Sequence, residues 1–436
     1  MSLMPLNENM SAGVIARFLK SQGVDRIFAL CGGHIMPIWM RVDAEGIQIV
    51  DVRDERAAVY MAHAHSELTG KLGVALVTAG PGVTNAMTGI ANAHVARASI
   101  LVLSGLPPRQ QENRGALQDI VHTDLVQSIT RYARTVRQSS LVLQELDEAV
   151  SRARGVGGEP GPVYLDFPTD VLRDEVPKVI QMEEHFRPKV LRPILPHMDD
   201  VTAAIEVLLS AKKPLVISGR GARGAHKELC EFLDKLGGAY LDTGESKGLV
   251  PDSHPAVVAA MRGKVMGDAD VIVTVGRRLD FQLAYGSPSV FGSAKFVRIG
   301  DIPTEVRDNR RGDIEINANP AKTLEAINGL IGDRKSSADR EWIKALREKH
   351  EERAQRLSES MATAPSDAEG RIHPNRVLAE LQKHIGEDGV VVADGGDFLA
   401  FARVGLNAKN YLDPGSLGCI GIGTSFGIAA SLACPN

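Results

Sequence analysis

The sequence predicts a doubly wound α/β protein of three parallel-sheet domains, the third incomplete. Three observations predict it. Short aliphatic runs alternate with longer amphipathic segments, the pattern of strands buried on both faces and covered by helices. Two stretches interrupt the alternation and divide the 436 residues into three parts. The last part holds only one or two strand–helix units, too few to close a sheet around its own core.

In the first part, Arg26–Leu30, Ile47–Asp51, Val74–Thr78, Ile100–Ser104 and Val163–Phe167 read as strands. Glu55–Thr69, Thr84–Ala96 and Leu143–Arg154 carry helical periodicity. From Val176 to His197 four prolines (177, 188, 193 and 196) appear without periodicity, so this segment reads as an extended linker. A second α/β unit follows, with a helix after Met198, a strand Pro214–Ser218, a helix Ala225–Leu236, and strands near Ala239–Asp242 and Val271–Val275. Asp333–Gly370 is charged and poor in large apolar clusters, as a solvated connecting helix and loop would be. The third part has a helix Asn375–Ile385, a strand Val390–Ala393, and a glycine-rich turn entering a helix. The expected domains are 1–175, 198–334 and 371–436, joined by linkers 176–197 and 335–370.

Composition narrows the function. With 50 basic and 54 acidic residues the chain has a formal charge of -4 and no polyanion-binding signature, which excludes nucleic acid as the expected partner. Cys31, Cys230, Cys419 and Cys434 are scattered with no CxxC pair, as expected of thiols in a reducing cytoplasm rather than of a disulfide framework or a zinc site. The N-terminal segment has no apolar core behind a basic start, so no secretory signal is expected. The most apolar late stretch, Ser416–Ala433, is so rich in glycine and small residues that close packing explains it better than a membrane span.

Several residues could carry chemistry. Glu55 in VRDERAA opens a helix just after a strand, at the sheet edge where α/β proteins place ligands, and the helix dipole stabilises its charge. Spacing alone leaves open that it merely pairs with Arg53 or Arg56. The AGPG turn in VTAGPGVTN permits close backbone approach, or is simply a tight connection. In the second unit, the strand Pro214–Ser218 runs into Gly219–Gly224, a GxGxxG, with Asp242 beyond it at the spacing of a dinucleotide fingerprint. Arg277 and Arg278 could serve a phosphate there or cap the sheet.

Seven segments, in order along nearly the whole chain, resemble the thiamine-diphosphate enzymes that include acetolactate synthases, benzaldehyde lyase and 2-hydroxyacyl-CoA lyases. They are FALCGGHIMPIW, VRDERAA, VTAGPGVTN, NRGALQ, GPVYLDFPTDV, VADGGDF and LDPGSLGCIGIGTSFGIAAS. The resemblance implies a pyrimidine-binding, a central nucleotide-binding-like and a diphosphate-binding domain. It also implies a function: decarboxylation and carboligation of a 2-oxo acid through a C2 ylide and enamine, acetolactate-synthase-like. The alternative is a carbon–carbon lyase acting on a 2-hydroxyacyl substrate, like the CoA lyases or benzaldehyde lyase.

By the same resemblance Glu55 holds a proton against N1′ of the cofactor's aminopyrimidine, and burial is expected to help it share that proton. Ile420 wedges between the cofactor's two rings. Gly395, Gly396, Asp397 and Phe398 lie over the diphosphate, Gly418 and Cys419 approach the pyrimidine, and Pro81 and Asn85 complete the cofactor contacts. His34 matches the lyases better than typical acetolactate synthases, and it could relay a proton to a substrate alkoxide. Gln118 could hydrogen-bond a carbonyl or hydroxyl.

Thiamine diphosphate and Mg²⁺ are the implied cofactors, with FAD or another nucleotide possible in the central domain. The family's metal motif, a GDG and a later Asn pair, is expected beyond Asn436. The family's cofactor sits between two subunits, so a homodimer or homotetramer is implied. Two other classes stay open: a nucleotide-dependent oxidoreductase built on the GRGARG loop, and a non-catalytic homologue.

Overall fold

A computed structural model describes residues 7–386 and 388–435. The first six residues of the segment read for a secretory signal lie outside them, as do the outermost residues of the first and third expected domains. The chain separates into two compact units. One comprises 1–191, 394–396 and 413–436, and the other 192–393 and 397–412.

The first unit is a six-stranded, wholly parallel sheet: β1 Arg26–Ala29, β2 Gln48–Asp51, β3 Gly73–Val77, β4 Ile100–Leu106, β5 Tyr132–Thr135 and β6 Val163–Pro168, in the order β2-β1-β3-β4-β6-β5. β3, β4 and β6 are buried at every position, which is why they read as unbroken aliphatic runs. The helix Glu55–Thr69 starts where Asp54 accepts the Arg56 N–H and stops at Gly70, whose φ of 68° suits the left-handed cap. The order reverses between β1 and β3, so the loops leaving their carboxyl ends diverge and open a crevice there.

The second unit contains a five-stranded parallel sheet: β7 Pro214–Ser218, β8 Ala239–Leu241, β9 Val271–Val275, β10 Lys295–Gly300 and β11 Ile314–Asn317, in the order β11-β10-β9-β7-β8. A helix spans Arg340–Thr363 in the charged connection; of its 24 residues only Leu346 and Met361 are buried.

Residues after Arg371 form no body of their own. β12 Val390–Val392 and β13 Asn410–Leu412 make a two-stranded parallel pair, and Met361, Leu378, Leu399, Ala402 and Tyr411 cluster beside it within the second unit. The tail from Asp413 belongs to the first unit. Two strands are too few to bury a core, so both pieces pack on a larger neighbour. No helix among the described residues is long and apolar enough to cross a membrane.

Candidate cofactor and substrate site

Three loops of the first unit meet at its topological switch point: the one after β1 carries His34, the one after β2 carries Glu55, and the one after β3 carries the AGPG turn.

Glu55 is 7% exposed. Its neighbours resolve the ambiguity left by spacing. Arg53 pairs with Asp51 at 2.5 Å, and Arg56 pairs bidentately with Asp54 at 3.0 and 2.8 Å. Among the described residues neither arginine is left for Glu55, whose Oε2 accepts one neutral hydrogen bond, from Asn85 Nδ2 at 3.1 Å. A Cβ on Gly82 would lie 3.6 Å from Glu55 Oε1, so glycine keeps the turn close to the carboxylate. Pro81 and Asn85 sit on the exposed face of the same helix start.

The Gly418–Gly421 loop joins this site from the tail of the same chain. Cys419 neighbours the Tyr60 hydroxyl, whose pKa burial and the nearby thiol push up. The helix Gly423–Ala433 lays Phe426 edge-on against Tyr60 and His63, with ring centroids 6.4 and 5.0 Å apart. Ile420 is 76% exposed between glycines at φ 71° and 88°, a large aliphatic side chain held out of the core.

Asp394, which sequence reasoning passed over, ties the two glycine loops together: its Oδ1 accepts from Gly395 N at 2.6 Å, Gly421 N at 2.8 Å and Ile422 N at 3.3 Å. Gly395 must be glycine, since a Cβ would come within 2.4 Å of the Cys419 carbonyl oxygen. Gly396, at φ 93°, would place a Cβ 3.8 Å from Ile420. Asp397 and Phe398 are exposed and begin the helix Phe398–Gly405 of the second unit.

At the other end of the crevice, the Gln118 side chain stands beside the His34 ring, whose Nδ1 is buried without a hydrogen-bond partner. Burial pulls the His34 pKa below its ordinary value of 6.5, with the Gln118 side chain opposing and nearby His122 adding to the fall. Gly105 on β4 lets the His34 backbone seat, because a Cβ there would meet the His34 carbonyl oxygen at 2.3 Å.

The GxGxxG of the second unit has a different use. Gly219 N donates to Val275 O and Gly221 N to Gly276 O, both at 3.0 Å, and a Cβ on Gly221 would strike Gly276 Cα at 2.8 Å. These glycines seal the β7–β9 junction, and two amides that a phosphate would need are already bonded. Arg277 is bidentate to Asp280 at 2.8 Å on each arm, and burial pushes the Asp242 carboxyl up. A cavity of about 590 Å³ in this unit, lined partly by His226, Lys247 and Lys409, includes none of the expected site residues.

A parallel α/β fold with a buried carboxylate at its switch point, held by a neutral amide, suits an enzyme that grips a nitrogen heterocycle. Comparison with known proteins agrees. Residues 11–127 match the N-terminal TPP binding domain of thiamine pyrophosphate enzymes, and residues 201–327 match their central domain. The chain is 30% identical to the 2-hydroxyacyl-CoA lyase 2 of Caenorhabditis elegans, covering 97% of this chain and 72% of that protein. It is 32% identical to the acetolactate synthase large subunit IlvG of Mycobacterium tuberculosis, covering 98% and 77%, and 31% identical to mouse 2-hydroxyacyl-CoA lyase 1, covering 97% and 73%. The chain belongs to the thiamine pyrophosphate enzyme family and is a thiamine-diphosphate-dependent enzyme of the lyase and transferase kind.

Proposed function

We propose that this enzyme cleaves the carbon–carbon bond between the carbonyl and the hydroxyl-bearing carbon of a 2-hydroxyacyl substrate, with Glu55 at the cofactor end of the site and His34 at the substrate end. The observation that carries this reading is the His34–Gln118 pair. Burial lowers the His34 pKa, so at neutral pH the ring is unprotonated and suited to accept the substrate's hydroxyl proton, which carbon–carbon cleavage to an aldehyde must remove. Gln118 holds the ring in place.

Bound thiamine diphosphate would supply the electron sink for the carbon–carbon bond. Glu55 would hold a proton at the aminopyrimidine N1′, a role suited to a buried carboxylate that accepts its hydrogen bond from a neutral amide. Ile420 would set the bend between the rings, while Pro81, Asn85, Gly418 and Cys419 line the pyrimidine side. Gly395, Gly396, Asp397 and Phe398 would cover the diphosphate, and Mg²⁺ would offset part of its charge. The Gly219 and Gly221 amides are spent inside the chain, which leaves this loop ill suited to a flavin or other nucleotide. The family resemblance supports a homodimer or homotetramer, and four free cysteines suit the cytoplasm.

A second reading, ligation of 2-oxo acids, is favoured by the likeness to the mycobacterial acetolactate synthase. Supplying the protein with thiamine diphosphate, Mg²⁺ and either a 2-hydroxyacyl-CoA or pyruvate separates the two. Aldehyde release from the thioester without acetolactate from pyruvate is the expected result, and the reverse overturns the lyase reading. Because the neutral ring is the active form, kcat/KM should rise with pH through a value below 6.5 and then level off. His34→Ala should remove that limb, and a limb that survives the substitution assigns the base elsewhere.

A further inference from the structure

His122 and Asp166 have no part in the chemistry assigned above, yet they meet beneath the turn on which the substrate end is built. His122 is 1% exposed and Asp166 0%. The Gly80 N–H donates to His122 Nε2 at 2.8 Å, and His122 Nδ1 lies 3.1 Å from Asp166 Oδ2. The Tyr164 hydroxyl donates to the same carboxylate oxygen at 3.0 Å. The directions are forced. Nε2 accepts from a backbone amide and so carries no proton, which leaves Nδ1–H to donate to Asp166. Asp166 thereby selects the tautomer that can hold Gly80.

Gly80 supports the substrate end directly. Its φ of 61° with ψ of -111° suits glycine alone, and a Cβ there would lie 2.8 Å from Gln118 Cβ. Gln118 itself sits at φ 62°, a left-handed conformation that is strained for a non-glycine residue, so its surroundings must hold it. The residue held this way is the one whose side chain stands beside the His34 ring.

We propose that the Asp166–His122 pair is a positioning device for the substrate end: it fixes the Gly80 turn, the turn seats Gln118, and Gln118 orients His34. The role is separate from that of Glu55, and it rests on the reading of Gln118 and His34 given above.

His122→Phe removes the acceptor for Gly80 and the donor to Asp166 while filling the space. With a 2-hydroxyacyl-CoA as probe, kcat/KM should fall by at least about tenfold, since small misplacements of reacting groups cost that much or more. The thiamine diphosphate concentration giving half-maximal activity should change by much less than kcat/KM. His122→Gln, whose amide can accept from Gly80 and donate to Asp166, should recover most of the loss. A general weakening of the fold would instead reduce cofactor affinity in step and show no recovery.

A readout free of activity is the side-chain spectrum of histidines labelled with ¹⁵N. The His34 ring resonances should move in His122→Phe and return in His122→Gln. If they stay in place in a folded His122→Phe protein, or if kcat/KM is unchanged, the proposal is overturned. If they move while the natural protein cleaves no 2-hydroxyacyl-CoA, the positioning pair stands and the lyase reading fails. Should His122→Phe not fold, Tyr164→Phe removes one donor to Asp166 and should shift the same resonances by less. No movement there overturns the proposal.

Discussion

Replacing Glu55 by glutamine is expected to lower kcat by about 10²–10⁴-fold, the usual contribution of a positioned proton-transfer group, while the protein stays folded. Glutamine has the same shape, and its amide oxygen can still accept the Asn85 Nδ2–H that Glu55 now accepts at 3.1 Å. What it lacks is a carboxylate to take and return a proton. With Arg53 committed to Asp51 and Arg56 to Asp54, the substitution also leaves no buried cation stranded. The check pairs turnover with a thermal shift against thiamine diphosphate and Mg²⁺. A large fall in kcat with the melting temperature of the free protein unchanged is expected. If turnover survives within a few-fold, Glu55 is not the proton carrier.

Removing the Arg298 side chain is expected to destabilise the second unit by about 3–5 kcal/mol, the cost of breaking a buried ion pair from one side. Arg298 stands on β10 with 0% exposure. Its Nε donates to Thr274 Oγ1 on β9 at 2.9 Å, and Nη1 donates to Arg310 O at 2.6 Å. Nη2 reaches Glu305 O at 2.6 Å and Asp308 Oδ1 at 2.8 Å. Arg298→Ala leaves those carbonyls and the Asp308 carboxylate, itself 7% exposed, without their main donor. Arg278, 4.0 Å from Asp308 and half exposed, is too far and too solvated to compensate. Urea unfolding followed on the second unit measures the effect. A loss under about 1 kcal/mol would mean that water replaces the guanidinium at little cost.

Arg298 also shows where pattern reading failed. β10 is KFVRIG, and the arginine interrupts the aliphatic run that marks a buried strand, so no strand was expected there. β5, YART, is half-buried and only four residues long, and it escaped for a related reason. The runs without an interior charge, such as β3, β4, β7 and β9, were expected within a residue or two of where they lie at most ends. His122 and Asp166 left no signal either. A histidine and an aspartate 44 residues apart gain meaning only when the sheet brings them to 3.1 Å.

By itself the sequence determined the parallel α/β class, the order of most strands and helices, and the family, because both-face burial and glycine-dependent turns must be written locally into the residues. Tertiary structure decided the rest. Glu55 could have paired with either adjacent arginine, and only the placement of Asp51 and Asp54 takes both away. The GxGxxG could have cradled a phosphate, and only the approach of β9 turns its amides inward. Ion pairs and amide hydrogen bonds depend on which partner arrives first at about 3 Å, and spacing along a chain does not encode that distance.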